Sequence, residues 1–427
     1  MGAETTYSMT VGQLSSLRDT QVLPEDRRWE NNLSFVWGLR RECTAEEVWT
    51  ALGALAMRHE SLRTHYRDDG SPGGPHQVLA VEDVETVLAL TEHGTADIAD
   101  LSDVEERAYK QPFDIYGGMP WRACVITDGG APRKVVFVVN HIAADGAAVL
   151  ILEADFHALL AGEELPPPGG QPRTIAQNEQ SPVSARRLRT AERYWRQTLA
   201  AAPRRPPGVR PASGEMIGAT LRTGVPLELA HEGAAKLDAS IASVLLAACY
   251  QSLREITGRS QILLLPMSAN RFDSATAAVV TSLNQRVPLL LDFDGSESFP
   301  ELAAKVHWES FKALKHGYYD PDAIARIRQE FFEQADPPVD PGYNFNGILA
   351  PPRFAPPVQP EPAELEFSAP ARTTIPGFYL AAMGIERIDL LARTNRAEFD
   401  QPAFAAFLSS VQEILLDVAG LLQADQD

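Results

Sequence analysis

The segment Asn140-His141-Ile142-Ala143-Ala144-Asp145-Gly146 holds the residue types of a reactive site. Histidine exchanges protons near neutral pH, so His141 can serve as acid or base under working conditions. It follows the apolar run Val135-Val136-Phe137-Val138-Val139, which reads as a strand buried on both faces. A residue at the C-terminal end of such a strand emerges where α/β sheets commonly place ligand crevices. Asp145 comes four residues later, just ahead of a helix expected over about 147–160. Gly146 permits close approach of backbone or ligand. The same residues admit a structural reading, with His141 in the core and Asp145 capping the next helix. So short a segment does not decide between the two.

The elements around it predict an α/β fold. Stretches 121–127 and 134–139 are β-rich. Thr44 with Glu47 forms a capping box that opens a helix through about residue 56, with Val48, Leu52 and Leu55 at helical spacing. Beyond the middle of the chain, 239–256 reads as an apolar helix and 261–267 and 287–291 as strands. Residues 299–315 read as an amphipathic helix and 401–422 as the closing one. Prolines gather at 166–172, 203–211, 337–341 and 351–362, which marks those stretches as connections. A boundary near residue 175 separates a domain over 1–175 from one over 176–427, each with strands and helices. No internal repeat is apparent.

Length and composition bound the function. The 427 residues suggest two or three domains. A net charge of −19 argues against nucleic-acid binding, which needs a basic surface. No charge-free apolar run is long enough to cross a membrane, and Met1-Gly2-Ala3-Glu4 does not begin a signal peptide. Cys43, Cys124 and Cys249 form no CxxC pair, so neither a disulfide framework nor a zinc site is indicated. Cys124 and Cys249 lie in apolar runs and are expected to be buried. His59, His65, His76, His93, His157, His231, His307 and His316 lack metal-ligand spacing, so no metal is expected. A reducing cytoplasm is the expected compartment.

Several segments together resemble the condensation domains of nonribosomal peptide synthetases, in the chloramphenicol-acetyltransferase-like superfamily. Their signature HHxxxDG is present as NHIAADG. Arg58-His59-Glu60-Ser61-Leu62-Arg63-Thr64 resembles the motif RHExLRT. Pro112-Phe113-Asp114 with Gly118-Met119-Pro120-Trp121-Arg122 resembles FDL…GPLxR. Glu192–Leu199 resembles the YWrxxL helix, and Leu263–Arg271 the strand that ends in a motif arginine. These segments occur in the family's order and span about residues 8–416.

The resemblance implies two acetyltransferase-like lobes in a V-shaped pseudodimer with a central tunnel. It implies that His141 is the catalytic histidine and that Asp145, Gly146 and Arg271 are positioning residues, Arg271 pairing with Asp145. Asn140 replaces the first motif histidine, at a position that supports rather than performs the chemistry. The motif GxFxNT falls on Val280-Thr281-Ser282-Leu283-Asn284-Gln285 and retains only Asn284, so the channel candidates Ser282 and Asn284 lie in an altered loop. The motif lSxxQ falls loosely on Thr10–Gln13. Arg63, Tyr194 and Trp195 are expected to be structural.

The family joins an acyl group, held as a thioester on a carrier protein's phosphopantetheine arm, to a nucleophile. The implied reaction here is amide formation between a carrier-bound acyl or aminoacyl thioester and an amine, which is free or on a second carrier. No tightly bound cofactor is expected, and no nucleic-acid or membrane partner. The resemblance fills nearly the whole chain, so a freestanding enzyme meeting an acyl or peptidyl carrier protein in trans is expected. Carriers are usually acidic, so docking to this acidic chain calls for a basic patch. Arg186, Arg187, Arg189, Arg193 and Arg196 are one candidate, with a solvated helix face as the alternative. Competing readings are an ester-forming acyltransferase, a catalytically inactive recruitment module, and a trimeric acetyltransferase using free coenzyme A. Retention of His141 favours an enzyme over the recruitment module, and the long two-lobed chain argues against the trimer.

Overall fold

A computed structural model describes residues 5–422, apart from 69, 71–73, 80–82, 206–214, 351, 353–354 and 370–376. The chain forms two compact units. The first comprises residues 1–188, 269–285 and 318–321, and the second 189–268, 286–317 and 322–427. A single cut near residue 175 does not describe this division, because two later segments return to the first unit. Proline clusters mark local breaks in the chain and carry no sign of such long-range returns. Parts of two of the expected connections, 206–211 and 351 with 353–354, lie outside the described residues.

The first unit contains strands β1 (Thr5–Ser8), β2 (Asn32–Gly38), β3 (Thr64–Arg67), β4 (His76–Leu79), β5 (Glu92–Asp97), β6 (Trp121–Asp128) and β7 (Ala131–Asn140). A small sheet has the order β1-β4-β3, and the main sheet β2-β7-β6-β5. In β7, Val135 through Asn140 are all buried, as the apolar run predicts. The helices Ala45–Arg58 and Gly146–Leu160 pack on this sheet and on each other. Trp37, Phe137 and Phe156 sit between these layers, with the Trp37 ring stacked on Phe137 at 4.4 Å and on Phe156 at 5.3 Å. Both reciprocal bonds of the Thr44–Glu47 capping box are present.

From residue 216 onward the strands are β8 (Met216–Pro226), β9 (Gln261–Ser268), β10 (Gln285–Arg286), β11 (Leu289–Asp292), β12 (Tyr343–Leu349), β13 (Glu364–Ser368), β14 (Phe378–Gly384) and β15 (Arg387–Asn395). Their order is β10-β9-β12-β14-β15-β8-β13, with β11 also on β9. Helices Ile241–Thr257, Phe299–Leu314 and Gln401–Val418 contribute to the core of the second unit. Two boundaries differ from the sequence reading. The strand expected over 287–291 begins only at Leu289, after Pro288, which has no N–H for a ladder. The last helix stops at Val418 because Gly420 turns left-handed at φ 71°, although the apolar pattern runs on to Leu422.

The main sheets share a pairing pattern that the sequence did not reveal. β2-β7 and β7-β6 are antiparallel and β6-β5 is parallel. β8-β15 and β15-β14 are likewise antiparallel, and β14-β12 is parallel. All three cysteines are free thiols. Cys249 is buried as expected, whereas Cys124 is only half-buried, on the face of β6 packed by a small cluster around Val104 and Ile126.

Candidate active site

Strand β7 ends on Asn140, paired in register with Asn32 of β2. Asn140 is 2% exposed and its amide is used structurally. Its Nδ2 donates to Asn32 Oδ1 at 3.3 Å, and its Oδ1 accepts from Ile142 N–H at 3.1 Å. The second bond is an Asx turn, which bends the chain just past the sheet edge. His141 lies at that bend, half-buried, with its backbone N–H donating to Asn31 O at 2.8 Å. Backbone on both sides of the ring is thereby fixed to the sheet.

Asp145 closes the loop. It is the N-cap of Gly146–Leu160, and its Oδ1 accepts from Ala148 N–H at 2.9 Å. The same oxygen accepts from Arg271 Nη2 at 2.8 Å, while Oδ2 accepts from Leu283 N–H at 3.0 Å. Gly146 is the first residue of the helix. The Asp145–Arg271 pair implied by the resemblance is therefore present. Its side chains are 2% and 7% exposed. Burying two charges is costly unless their remaining hydrogen-bonding capacity is met. Arg271 meets much of it by donating Nη1 to Thr276 O and Val279 O, at 2.9 and 2.6 Å, and Nη2 to Thr281 O at 3.1 Å.

Those bonds fold residues 276–283 against the loop and bring Ser282 to His141. Ser282 Oγ lies 3.4 Å from His141 Nδ1 and 3.3 Å from Asn284 Oδ1. Gln285 is turned elsewhere: its Nε2 donates to Tyr319 O at 3.0 Å, and its Oε1 accepts from Tyr319 N–H at 3.3 Å. His141, Asp145, Gly146, Arg271, Ser282 and Asn284 thus share one corner of the first unit.

Sequence reasoning missed Gly12, in the loosely matching segment. A Cβ there would stand 2.6 Å from Leu283 Cα and also overlap Ser282 O, so only glycine lets the helix Val11–Gln21 approach this closely. The signal that could have found it was the capping box of Thr10 and Gln13, which starts that helix. Glu179 was also missed. Its Oε2 accepts from Val11 N–H at 2.9 Å, and burial pushes its carboxyl up to about 7.

Other matched segments serve the scaffold. Arg58 Nε and His59 Nε2 meet Asp155 Oδ2 at 2.7 and 2.8 Å, tying Ala45–Arg58 to Gly146–Leu160. Trp121 Nε1 donates to Leu62 O at 2.8 Å. Arg122 donates to Ala108 O and Gln111 O, with its guanidinium 3.8 Å from the Phe113 ring centre. Tyr194 donates its hydroxyl to Pro288 O at 2.7 Å, and Trp195 is buried, so both secure a helix as expected. Of the basic helix residues, Arg187 lies 4.5 Å from the Tyr318 ring centre and Arg196 pairs with Glu330. Among the described residues no three His, Cys, Asp or Glu side chains cluster as metal ligands, and no single helix is long and apolar enough to cross a membrane.

The comparisons with known proteins agree with this architecture. The condensation domain from the enacyloxin polyketide synthase superposes with a TM-score of 0.75 at 20% identity, over 100% of this chain and 84% of that one. The first condensation domain of the calcium-dependent antibiotic synthetase, solved with a substrate analogue, gives 0.72 at 16% identity, over 97% of each chain. These likenesses define the class as the two-lobed, chloramphenicol-acetyltransferase-like α/β fold. The condensation domain family profile matches residues 4–426, and the chain belongs to that family. Among curated relatives, tyrocidine synthase 3 of Brevibacillus parabrevis is 27% identical over 291 residues, 65% of this chain. The chain spans only 4% of that synthase's length.

Proposed function

We propose that this chain is a condensation-type acyltransferase, moving an acyl or aminoacyl group from a carrier protein's phosphopantetheine thioester to an amine in natural-product biosynthesis. The observation that carries the proposal is His141, presented at a strand end by a loop fixed through the buried Asp145–Arg271 pair. In the reaction the amine lone pair attacks the thioester carbonyl carbon and the C–S bond breaks. The amine nitrogen loses a proton to His141, and the departing sulfur takes up a proton. Amide formation from a thioester is downhill, so holding donor and acceptor together supplies much of the acceleration. Base assistance of this kind contributes about 10²–10⁴-fold.

Asn140 does not weaken this reading. One of its side-chain bonds ties it to Asn32 across the sheet and the other makes the turn that presents His141, so the residue replacing the first motif histidine acts as scaffold. Asp145 and Arg271 are positioning residues, already engaged in the loop's own bonds. The phosphopantetheine arm enters as part of the substrate, and the carrier is met in trans. Three free thiols suit a reducing cytoplasm.

The test is a panel of acyl- and aminoacyl-loaded carriers, incubated with amines or alcohols and read by intact-protein mass spectrometry. The expected result is loss of acyl mass from one carrier, dependent on an amine and slowed at least about 100-fold by His141→Ala. Discharge that needs an alcohol would replace the amide by an ester. Carrier binding with no discharge across the panel would contradict an enzyme and favour recruitment.

A further inference from the structure

Asn32 begins β2 and is fully buried, in register with Asn140 at the end of β7. The neighbouring pairs Leu33 with Val139 and Phe35 with Phe137 are apolar. A buried amide is costly unless its polar groups are bonded, so two amides facing each other beside the histidine loop need a reason. Asn32 Nδ2 donates to Tyr109 O and to Gln111 O, each at 2.9 Å. These carbonyls lie at the C-terminal end of the helix Leu101–Lys110, where carbonyls lack partners within the helix. Asn32 thus anchors that helix end to the strand.

The amides orient one another. Turning Asn32 over would set its oxygen against two carbonyl oxygens. Its Oδ1 therefore faces β7 and accepts from Asn140 Nδ2 at 3.3 Å. Asn140 is set from its other end, where Oδ1 accepts from Ile142 N–H at 3.1 Å. Backbone groups at both ends fix the pair in the same sense.

The second unit supplies an internal comparison. Asn395 ends β15 and makes the same turn, accepting from Ala397 N–H at 2.8 Å. Its partner across the ladder is Met216. The turn therefore forms without an amide opposite, and Asn32 answers a further need where the loop carries His141.

We infer that Asn32 is a positioning residue for the histidine loop: through Asn140 it joins the end of the helix Leu101–Lys110 to the turn that presents His141. This rests on the proposed role of His141 and adds a residue, far from the motif in sequence, that holds it in place. The Asn140 amide cannot swing without losing a bond on each side, so the backbone entering His141 is restrained from behind.

The experiment uses the full chain labelled with 15N-histidine, with His141 assigned by the signals missing in His141→Ala. Asn32→Met copies the residue found in the second unit. Asn140→Ser keeps an oxygen for the turn and gives up the reach to Asn32. Each should move the His141 ring signals while those of His231 and His307 stay in place. Each should also speed deuterium exchange of the Ile142 amide about tenfold, the worth of one hydrogen bond, and slow carrier discharge by a similar factor. Adding Asn32→Met to Asn140→Ser should change nothing more, because Asn32 acts through Asn140. Unmoved His141 signals in Asn32→Met, or effects that add in the double variant, would overturn the inference. Should Asn32→Met fail to fold, Asn140→Ser decides alone, and an unmoved His141 there overturns it. The expected spectra and exchange without discharge of any carrier would sustain it while rejecting the proposed reaction.

Discussion

The loop after β7 and the loop after β15 are built alike. Each strand ends on a buried asparagine, Asn140 or Asn395, whose Oδ1 accepts the N–H two residues on, at 3.1 and 2.8 Å. The next residue, His141 or Arg396, donates its N–H to the residue before the neighbouring strand, Asn31 or Glu215, at 2.8 and 3.0 Å. Five positions past each asparagine an aspartate, Asp145 or Asp400, caps the following helix at 2.9 Å. The difference lies in what each frame holds. In the first unit it presents a histidine, and its capping aspartate is buried under Arg271. In the second it presents Arg396, which is half-exposed and paired with Glu215, and its aspartate is exposed. A strand, an Asx turn and a capped helix thus make a reusable frame. On the proposed function, reactivity comes from the residue placed in it and from the segment 269–285 that covers it.

The comparison can be broken at its aspartates. Arg271→Ala strands a buried carboxylate, and a loss of about 3–5 kcal/mol in unfolding free energy is expected by chemical denaturation. Asp400→Ala removes an exposed cap only and should cost about 1 kcal/mol. Equal losses would mean that the two frames are energetically equivalent. The covering segment is probed by Gly12→Ala. The new methyl group pushes on Ser282 and Leu283, so a loss of about 2 kcal/mol is expected, as for overpacking, together with slower carrier discharge.

A pH titration sharpens the contrast further, because it reads a carboxylate that supports the first unit at the start of the helix Val11–Gln21. Burial raises Glu179 to about 7 from its ordinary value near 4.5. A raised carboxyl binds its proton more tightly in the folded state. Its contribution is complete below the unfolded value and is lost as pH rises through about 7. Glu179→Gln should flatten that decline, gaining about 2–3 kcal/mol over wild type above pH 7 in urea titrations. Parallel pH profiles for the two proteins would exclude Glu179 as the source.

Much of the scaffold was legible because its signals are local. The apolar run before Asn140, the Thr44 capping box and the apolar helix near residue 245 need only a few neighbouring residues to be recognised. The histidine loop was legible for the same reason. What covers it was not. Ser282 meets His141 across 141 positions of sequence, through bonds made by Arg271 and Asp145, and no periodicity encodes such a contact. The repeated frame stayed hidden because it keeps only the asparagine and the aspartate of its six residues. Asn-His-Ile-Ala-Ala-Asp and Asn-Arg-Ala-Glu-Phe-Asp share backbone geometry rather than composition. Cys124 was misplaced because one strand face is covered only by a small apolar cluster.

The central claim is that one of the two frames is reactive and the other is structural. The most direct test measures carrier discharge by wild type, His141→Ala and Arg396→Ala side by side, using the carrier and amine identified in the panel. The account predicts a loss of at least about 100-fold for His141→Ala and a wild-type rate for Arg396→Ala. Undiminished discharge by His141→Ala, or an equal loss in both variants, would contradict it.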